Sequence, residues 1–461
     1  MSFIGREEEQ KAIHYLLSQD GFQGAIIYGR RRLGKTELLK HCLLNQNVPC
    51  IFYQCSQESE ESNVSDLTKA IEEALSLSHL HFDSFVDAVA FVFEKAIERK
   101  LYFVIDEYPY IRKISPSIDS KLQRVIDQYR HSTHVCFFLC GSSVSTMEGL
   151  LSEGNPLYRR FALSILLKEM DYYDSSLFYP IFSLADKVRL FAAFGGSPFY
   201  NSQINESLSV TENIILLLSG RFAAVADDVT VNLKNEIVKI NNANAVFASI
   251  AEKRAFHYSD ILAESHLPSS SILSDVLEKL LSMDLIEYVC PINDKNNKTK
   301  SGYQIKDNAM RFFYRYIFRN QSERALLSEE MFFRDFIQND FESEFVPKAF
   351  ETVAKQYLIR RNKRGENKPL LLDIGTYWYD SPKKRKNGQF DVVGKTKDGY
   401  VFYGVKFTKE PITNNVIQNE IEQVKETTLT PVQYGFVSLS GFDLRGVVPY
   451  ILITIEDIYQ G

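Results

Sequence analysis

Gly29-Arg30-Arg31-Arg32-Leu33-Gly34-Lys35-Thr36 sits between the apolar run Gly24–Gly29 and a stretch patterned as a helix. Two glycines at this spacing let the chain wrap tightly enough for its N–H groups to converge on one point. The helix that opens at Lys35 adds the positive end of its dipole, Lys35 adds a cation, and Thr36 adds a hydroxyl suited to a hard metal. Strand, glycine loop, Lys-Thr and helix together form a cradle for phosphate groups. The expected contacts are Gly29, Arg30, Arg31, Arg32, Leu33, Gly34, Lys35, Thr36 and Glu37, and the expected ligands are ATP and Mg²⁺.

Working outward, four more apolar runs, Pro49–Cys55, Leu101–Tyr108, Val135–Ser142 and Phe161–Lys168, alternate with helical patterns such as Asp66–Ser76 and Ser84–Lys100. Runs apolar on both faces and separated by helices predict a parallel sheet covered on both sides, an α/β domain. The run Leu101-Tyr102-Phe103-Val104-Ile105 ends in Asp106-Glu107. Two acids at the end of a buried strand are costly unless a positive charge faces them. Asp106 is therefore the expected metal ligand beside Thr36, and Glu107 the group that orients or deprotonates an attacking water. After Val135–Cys140, Ser142 or Ser143 is placed to read a terminal phosphate, and the same serines would also cap a following helix.

Beyond residue 170 the strand signals stop. Lys187 to about Leu233 is helical in pattern. Between Asn244 and Ile305 the order is helix, helix, helix, hairpin, a winged helix-turn-helix pattern. Its third helix, Ser269–Asp284, carries Asp275, Glu278 and Asp284 against Lys279, which suits protein packing better than a DNA groove. Phe332 to about Leu358 is helical, and five β patterns follow it. The expected domains are 1–170, 171–235, 236–325 and 326–461.

With 45% hydrophobic and 24% charged residues the chain has the composition of a folded globular protein, and its formal charge of −6 gives no global attraction to nucleic acid. DNA contact would have to use the local runs Arg360–Arg364 and Lys383–Lys386, with Tyr377, Trp378 and Tyr379 as stacking candidates. The six cysteines lack metal-ligand spacing. A polar start and no apolar stretch of about 20 residues predict a cytoplasmic protein without a membrane span. A protein partner and a homo-oligomer are left open.

These motifs resemble the archaeal-type ATPase family, a branch of the STAND and AAA+-like P-loop ATPases. Phe3-Ile4-Gly5-Arg6-Glu7 looks like its adenine-side motif, which implies nucleotide contacts from Ile4, Gly5 and Arg6. Gly141-Ser142-Ser143 and Pro156-Leu157-Tyr158-Arg159-Arg160 also match, with Arg159 where glycine is usual, and Arg160 becomes a candidate sensor of the γ-phosphate. Gly195–Tyr200 resembles a helical-lid motif whose proline, Pro198, packs on the nucleotide. The resemblance implies a switch driven by ATP binding and hydrolysis.

The last domain resembles the restriction-endonuclease-like, PD-(D/E)XK fold attached to that family. That chemistry needs carboxylates holding Mg²⁺ beside a lysine. Glu351, Asp391 and Lys406 are the matching residues, but Gly404 stands where an acid is required and Gln389 where one is common. Glu420 or Glu422 could migrate into the gap. The reading is a degenerate site, with an ATP-gated nuclease and a non-catalytic ATP-binding interaction protein as the alternatives.

Overall fold

The computed structural model describes residues 3–44, 46–237, 242–252, 257–381, 386–446 and 448–460. The chain divides into two compact units, Met1–Met170 and Asp171–Gly461.

The first unit is built on five strands, β1 (Gln23–Tyr28), β2 (Cys50–Gln54), β3 (Leu101–Asp106), β4 (Val135–Gly141) and β5 (Leu163–Leu166). They are parallel throughout, in the order β2-β3-β4-β1-β5. Helices cover both faces, as continuous apolar strands require. α1 (Glu7–Ser18) and α2 (Lys35–Leu43) lie on one face. α3 (Glu60–Leu75), α4 (Phe85–Lys95), α5 (Tyr108–Ile114), α6 (Ile118–Tyr129) and α7 (Val144–Gly149) follow on the other.

Strand periodicity decides which residue faces which helices. Leu101, Phe103 and Ile105 pack under α3–α6, whereas Tyr102 and Val104 pack with Leu38 and Leu39 of α2. Continuing that alternation turns Asp106 toward α2. Helix α3 begins six residues before the pattern at Asp66 suggested. Ser59 caps it by accepting from the Ser62 N–H, so polar residues without an apolar period are drawn into its first turns.

In the second unit the helices Ala243–Glu252, Tyr258–Glu264 and Ser270–Ser282 precede an antiparallel hairpin, β6 (Ile286–Val289) with β7 (Gly302–Ile305). Helical segments from Asn308 come first, and the helical stretch expected from Phe332 to about Leu358 is present, with π-helical turns at Arg334–Gln338 and Phe341–Phe345 before the helix Val346–Lys363. A mixed sheet follows, formed by β8 (Asp373–Ser381), β9 (Lys386–Lys395), β10 (Tyr400–Lys406), β12 (Pro431–Ser438) and β14 (Ile451–Thr454). Two-residue strands β11 (Ile412–Thr413) and β13 (Phe442–Asp443) pair apart from it. The order is β14-β12-β10-β9-β8, antiparallel through β8-β9-β10 and parallel beyond.

A bulge in β9 decides where its acid points. Gly375 pairs with Val393 and Tyr377 with Phe390, so Asp391 and Val392 both stand opposite Thr376. Phe390 and Val393 pack on Val424 of the helix Asn414–Lys425. Val392 packs on the opposite face with Phe350 and Val353 of Val346–Lys363. The bulge brings Asp391 to that second face as well, where it meets Lys348.

Helix α5, which begins directly after Glu107, is anchored by the buried carboxylate of Asp119. Tyr108 Oη donates to it at 2.6 Å, Arg112 Nε at 2.9 Å and Asn155 Nδ2 at 2.7 Å. Removing the shared acceptor leaves the buried Tyr108 hydroxyl and two part-buried donors unpaired. Asp119→Ala should therefore lower stability by about 3–5 kcal/mol in urea unfolding. A loss under about 1 kcal/mol, as for an ordinary surface pair, would show that the network does not hold α5.

Candidate nucleotide site

The loop after β1 keeps the shape its glycines allow. Gly29 has φ +146°, and a Cβ there would lie 2.3 Å from the Leu167 carbonyl oxygen. Gly34 caps α2 at φ +82°. The first-turn N–H groups of α2, Glu37 included, have no intrahelical acceptor by construction and lie at the positive end of the dipole. The Glu37 side chain is exposed beside Lys40, so only its main chain belongs to the site.

Lys35 is 7% exposed, and its ammonium donates to the Gly29 and Arg30 carbonyls at 2.8 Å each. Burial holds it below the ordinary lysine range, while Cys140, Glu107 and Asp106 pull it back up. Thr36 Oγ1 donates to Asp106 Oδ2 at 2.7 Å, and the Glu107 N–H donates to Asp106 Oδ1 at 2.8 Å. Asp106 is 2% exposed. A hydroxyl and a carboxylate this close form the hard oxygen donor set that suits Mg²⁺.

Strand order explains the rest. Because β4 lies between β1 and β3, its tip falls between the phosphate loop and the acid pair. Ser142 Oγ donates to Glu107 Oε2 at 2.8 Å, and the Ser142 N–H reaches the same oxygen at 3.3 Å. Ser143 instead pairs with Thr146 at 2.8 Å. Of the two serines, only Ser142 meets the acid.

The amino-terminal segment also reaches the loop. Gly5 and Arg6 both have positive φ, which turns the chain into α1. Arg6 Nη2 donates to the Leu33 carbonyl at 3.2 Å, and Phe3 stacks on His41 of α2 with ring centroids 4.4 Å apart. Ile4 lies between these two anchors. Arg30 pairs with Glu169 at 3.5 Å.

Sequence reasoning missed two neighbours. Tyr110 Oη accepts from Arg31 Nη2 at 2.7 Å, and Cys140 is buried beside Asp106 and Lys35, where burial pushes its thiol up. Tyr110, one turn into the helix after Glu107, was recoverable from spacing. Cys140 was not, because a thiol in an apolar run carries no distinguishing pattern.

Arg160 is a correction. Its guanidinium forks onto Asp127 at 2.8 and 3.0 Å, with the Pro156 carbonyl at 2.7 Å. Its own carbonyl lies at Gly24, near the amino end of β1, whereas the phosphate loop follows the carboxyl end. Five residues of strand separate the two by roughly 16 Å. Pro198 opens a short helix, Pro198–Asn201, in the second unit.

The nuclease-like trio is not assembled either. Glu351 and Asp391 meet on one face of the mixed sheet, but the ammonium between them is that of Lys348. Lys406 lies on the other face and pairs with Glu420 at 2.5 Å. A Cβ on Gly404 would stand 3.6 Å from the Glu420 Cδ, so Glu420 occupies the gap that the missing acid leaves. Gln389 donates to Asp391 and accepts from Trp378 Nε1 at 2.7 Å. Burial pushes Glu351 up to about 7 against the pull of Lys348. Among the described residues no group of three or more His, Cys, Asp or Glu side chains is arranged to hold a metal.

The expected DNA-facing groups are largely engaged within the fold. Arg360 pairs with Asp171 at 2.7 Å and lies over Tyr173, and Arg364 pairs with Glu366 at 2.8 Å. Tyr377 and Tyr379 are core residues. Lys383, Lys384 and Arg385 lie outside the described residues. No helix among the described residues is long and apolar enough to cross a membrane.

A parallel sheet in this order, with a glycine loop and Lys-Thr after β1 and an acid pair after β3, resembles the fold of P-loop ATPases. Residues 3–200 match the family described as an ATPase domain predominantly from Archaea. Residues 313–424 match a second family, described as archaeal and bacterial proteins of unknown function. The chain is 26% identical over 386 residues to an uncharacterized protein of Methanocaldococcus jannaschii, covering 82% of each. A Walker-type ATPase of Pyrococcus abyssi aligns with a TM-score of 0.51 at 18% identity, over 68% of this chain and 96% of its own. The ADP form of the ORC2 protein of Aeropyrum pernix aligns at 0.39 and 12%, over 70% and 97%, too distant to bear on function.

Arg160→Ala should leave ATP turnover within about twofold and cost about 0.2–1 kcal/mol of stability, as for a half-exposed ion pair. A loss of about a hundredfold in turnover with stability intact would return Arg160 to the γ-phosphate.

Proposed function

We propose that the first unit binds and hydrolyses ATP with Mg²⁺, and that its nucleotide state drives the second unit as a switch. The observation that carries this reading is the convergence of Lys35, Thr36, Asp106, Glu107 and Ser142 on one end of the sheet.

Phosphate oxygens would take over from the Gly29 and Arg30 carbonyls as partners of Lys35, and N–H groups of the loop and of the first turn of α2 would hold the remainder. Phe3, Ile4, Gly5 and Arg6 would border the base. Thr36 and, through water, Asp106 would hold Mg²⁺, which neutralises charge on the β- and γ-phosphates when bound. Glu107 is the base that positions the attacking water and accepts its proton. While Ser142 donates to Glu107, that carboxylate is engaged. A γ-phosphate that drew the Ser142 hydroxyl to itself would free Glu107 for water. One serine would then couple arrival of the triphosphate to activation of the base.

In the second unit we read residues 171–235 as a lid with Pro198 toward the nucleotide, 236–325 as a winged helix and 326–461 as a nuclease-like domain that does not cut. Asp391 and Lys406 lie on opposite faces of the sheet, which favours the non-cutting reading over an ATP-gated nuclease. DNA contact through the run Lys383–Lys386 belongs to the same proposal.

Glu107→Gln should retain bound ATP while slowing hydrolysis about 10²–10⁴-fold, and Lys35→Ala should lose nucleotide binding. Unchanged turnover in Glu107→Gln removes that residue from the mechanism. Plasmid incubated with Mg²⁺ or Mn²⁺ should stay intact. Cleavage that disappears with Lys406→Ala or Lys348→Ala would establish the nuclease reading and identify its lysine.

A further inference from the structure

The stretch Asn308-Ala309-Met310-Arg311-Phe312-Phe313-Tyr314-Arg315 has no part in the nucleotide site. Arg311 and Arg315, four residues apart on one helical stretch, line a cavity of about 430 Å³ in the second unit. Lys348 contributes a third cation, and Gln304 of β7, Glu252 and Glu344 line it too. The volume falls in the range of roughly 300–1,000 Å³ typical of small-ligand pockets.

The charges are unevenly satisfied. Arg315 forks onto Asp340 at 2.6 and 2.7 Å and donates to the Glu252 carbonyl at 2.9 Å. Lys348 lies between Glu351 and Asp391, and Glu252 pairs with Arg319. Arg311 differs. Its guanidinium carbon lies over the Phe345 ring, 4.1 Å from the centroid, and Nη2 donates to the Phe345 carbonyl at 3.3 Å. Its Nε is buried without a hydrogen-bond partner, and among the described residues no carboxylate pairs with it. Burial pushes its pKa down to about 10, against the pull of Tyr316, Glu351 and Asp340. A buried guanidinium is costly unless an anion lies near it, and Arg311 borders the cavity where one could sit.

We propose that this cavity binds a phosphate group, either as the free ion or carried on a molecule of mononucleotide size. Arg311, Arg315 and Lys348 border one space together with Glu252 and Glu344, and because Asp340, Glu351 and Asp391 already hold Arg315 and Lys348, Arg311 is the cation that a phosphate oxygen would complete. The walls come from the helix Ala243–Glu252, β7, the Arg311–Arg315 stretch and the start of Val346–Lys363, so an occupant would tie these segments together. The site is separate from the phosphate loop and does not depend on ATP hydrolysis.

The test uses full-length protein carrying Lys35→Ala, titrated calorimetrically with orthophosphate and, separately, with adenosine monophosphate. Saturable binding of either is expected, with affinity falling about tenfold or more when Arg311→Gln is added, the loss of one charge-assisted contact. Binding of orthophosphate identifies the free ion as sufficient, and binding of the mononucleotide alone identifies the larger ligand. If Arg311→Gln fails to fold, Gln304→Trp, which fills the cavity and leaves the arginine, should abolish binding. No binding of either probe overturns the proposal, as does an affinity that Arg311→Gln leaves unchanged in folded protein. Where only Gln304→Trp folds, unchanged affinity in that variant overturns it equally.

Discussion

A carboxylate almost fully removed from water, hydrogen-bonded to the threonine that opens a helix, is the constraint around which the first unit is arranged. Asp106 is tolerated at 2% exposure because the Thr36 hydroxyl and the Glu107 N–H donate to its two oxygens, and because Lys35 lies near. That arrangement requires β3 to end level with the start of α2 and Asp106 to face the α2 side of the sheet. It also requires a neighbouring strand to present Ser142 beside Glu107. Each requirement is met by strand order and by a side-chain period of two.

Much of this was legible in the sequence because the signals were local. A glycine loop between a strand and a helix, and acids at the end of an apolar run, each carry their reason within a few residues. All five strands of the first sheet appear where apolar runs stood. The start of α3 was hidden because a capping serine, and not an apolar period, sets it. The partners of Arg160 and Asp119 were hidden as well, since Asp127 and Asn155 lie far along the chain from them.

The C-terminal domain was harder to read, for a definite reason. Spacing places Asp391 and Lys406 on adjacent strands, and regular alternation would bring them to one face. A single extra residue at the β9 bulge moves Asp391 to the other face, where Lys348 meets it. Bulges of this kind depend on what the neighbouring strands pack against, and no local motif announced this one. The two tyrosines beside the basic run proved to be core for a similar reason, since their partners come from β9, β10 and a distant helix.

The account rests on ATP and Mg²⁺ meeting the Lys35–Asp106 pocket, so the most direct measurement is equilibrium binding of ATP to the unaltered protein with and without Mg²⁺. Saturable binding that strengthens when the metal is supplied is the predicted result. No detectable binding of any nucleoside triphosphate, with the metal present, would contradict the account at its centre.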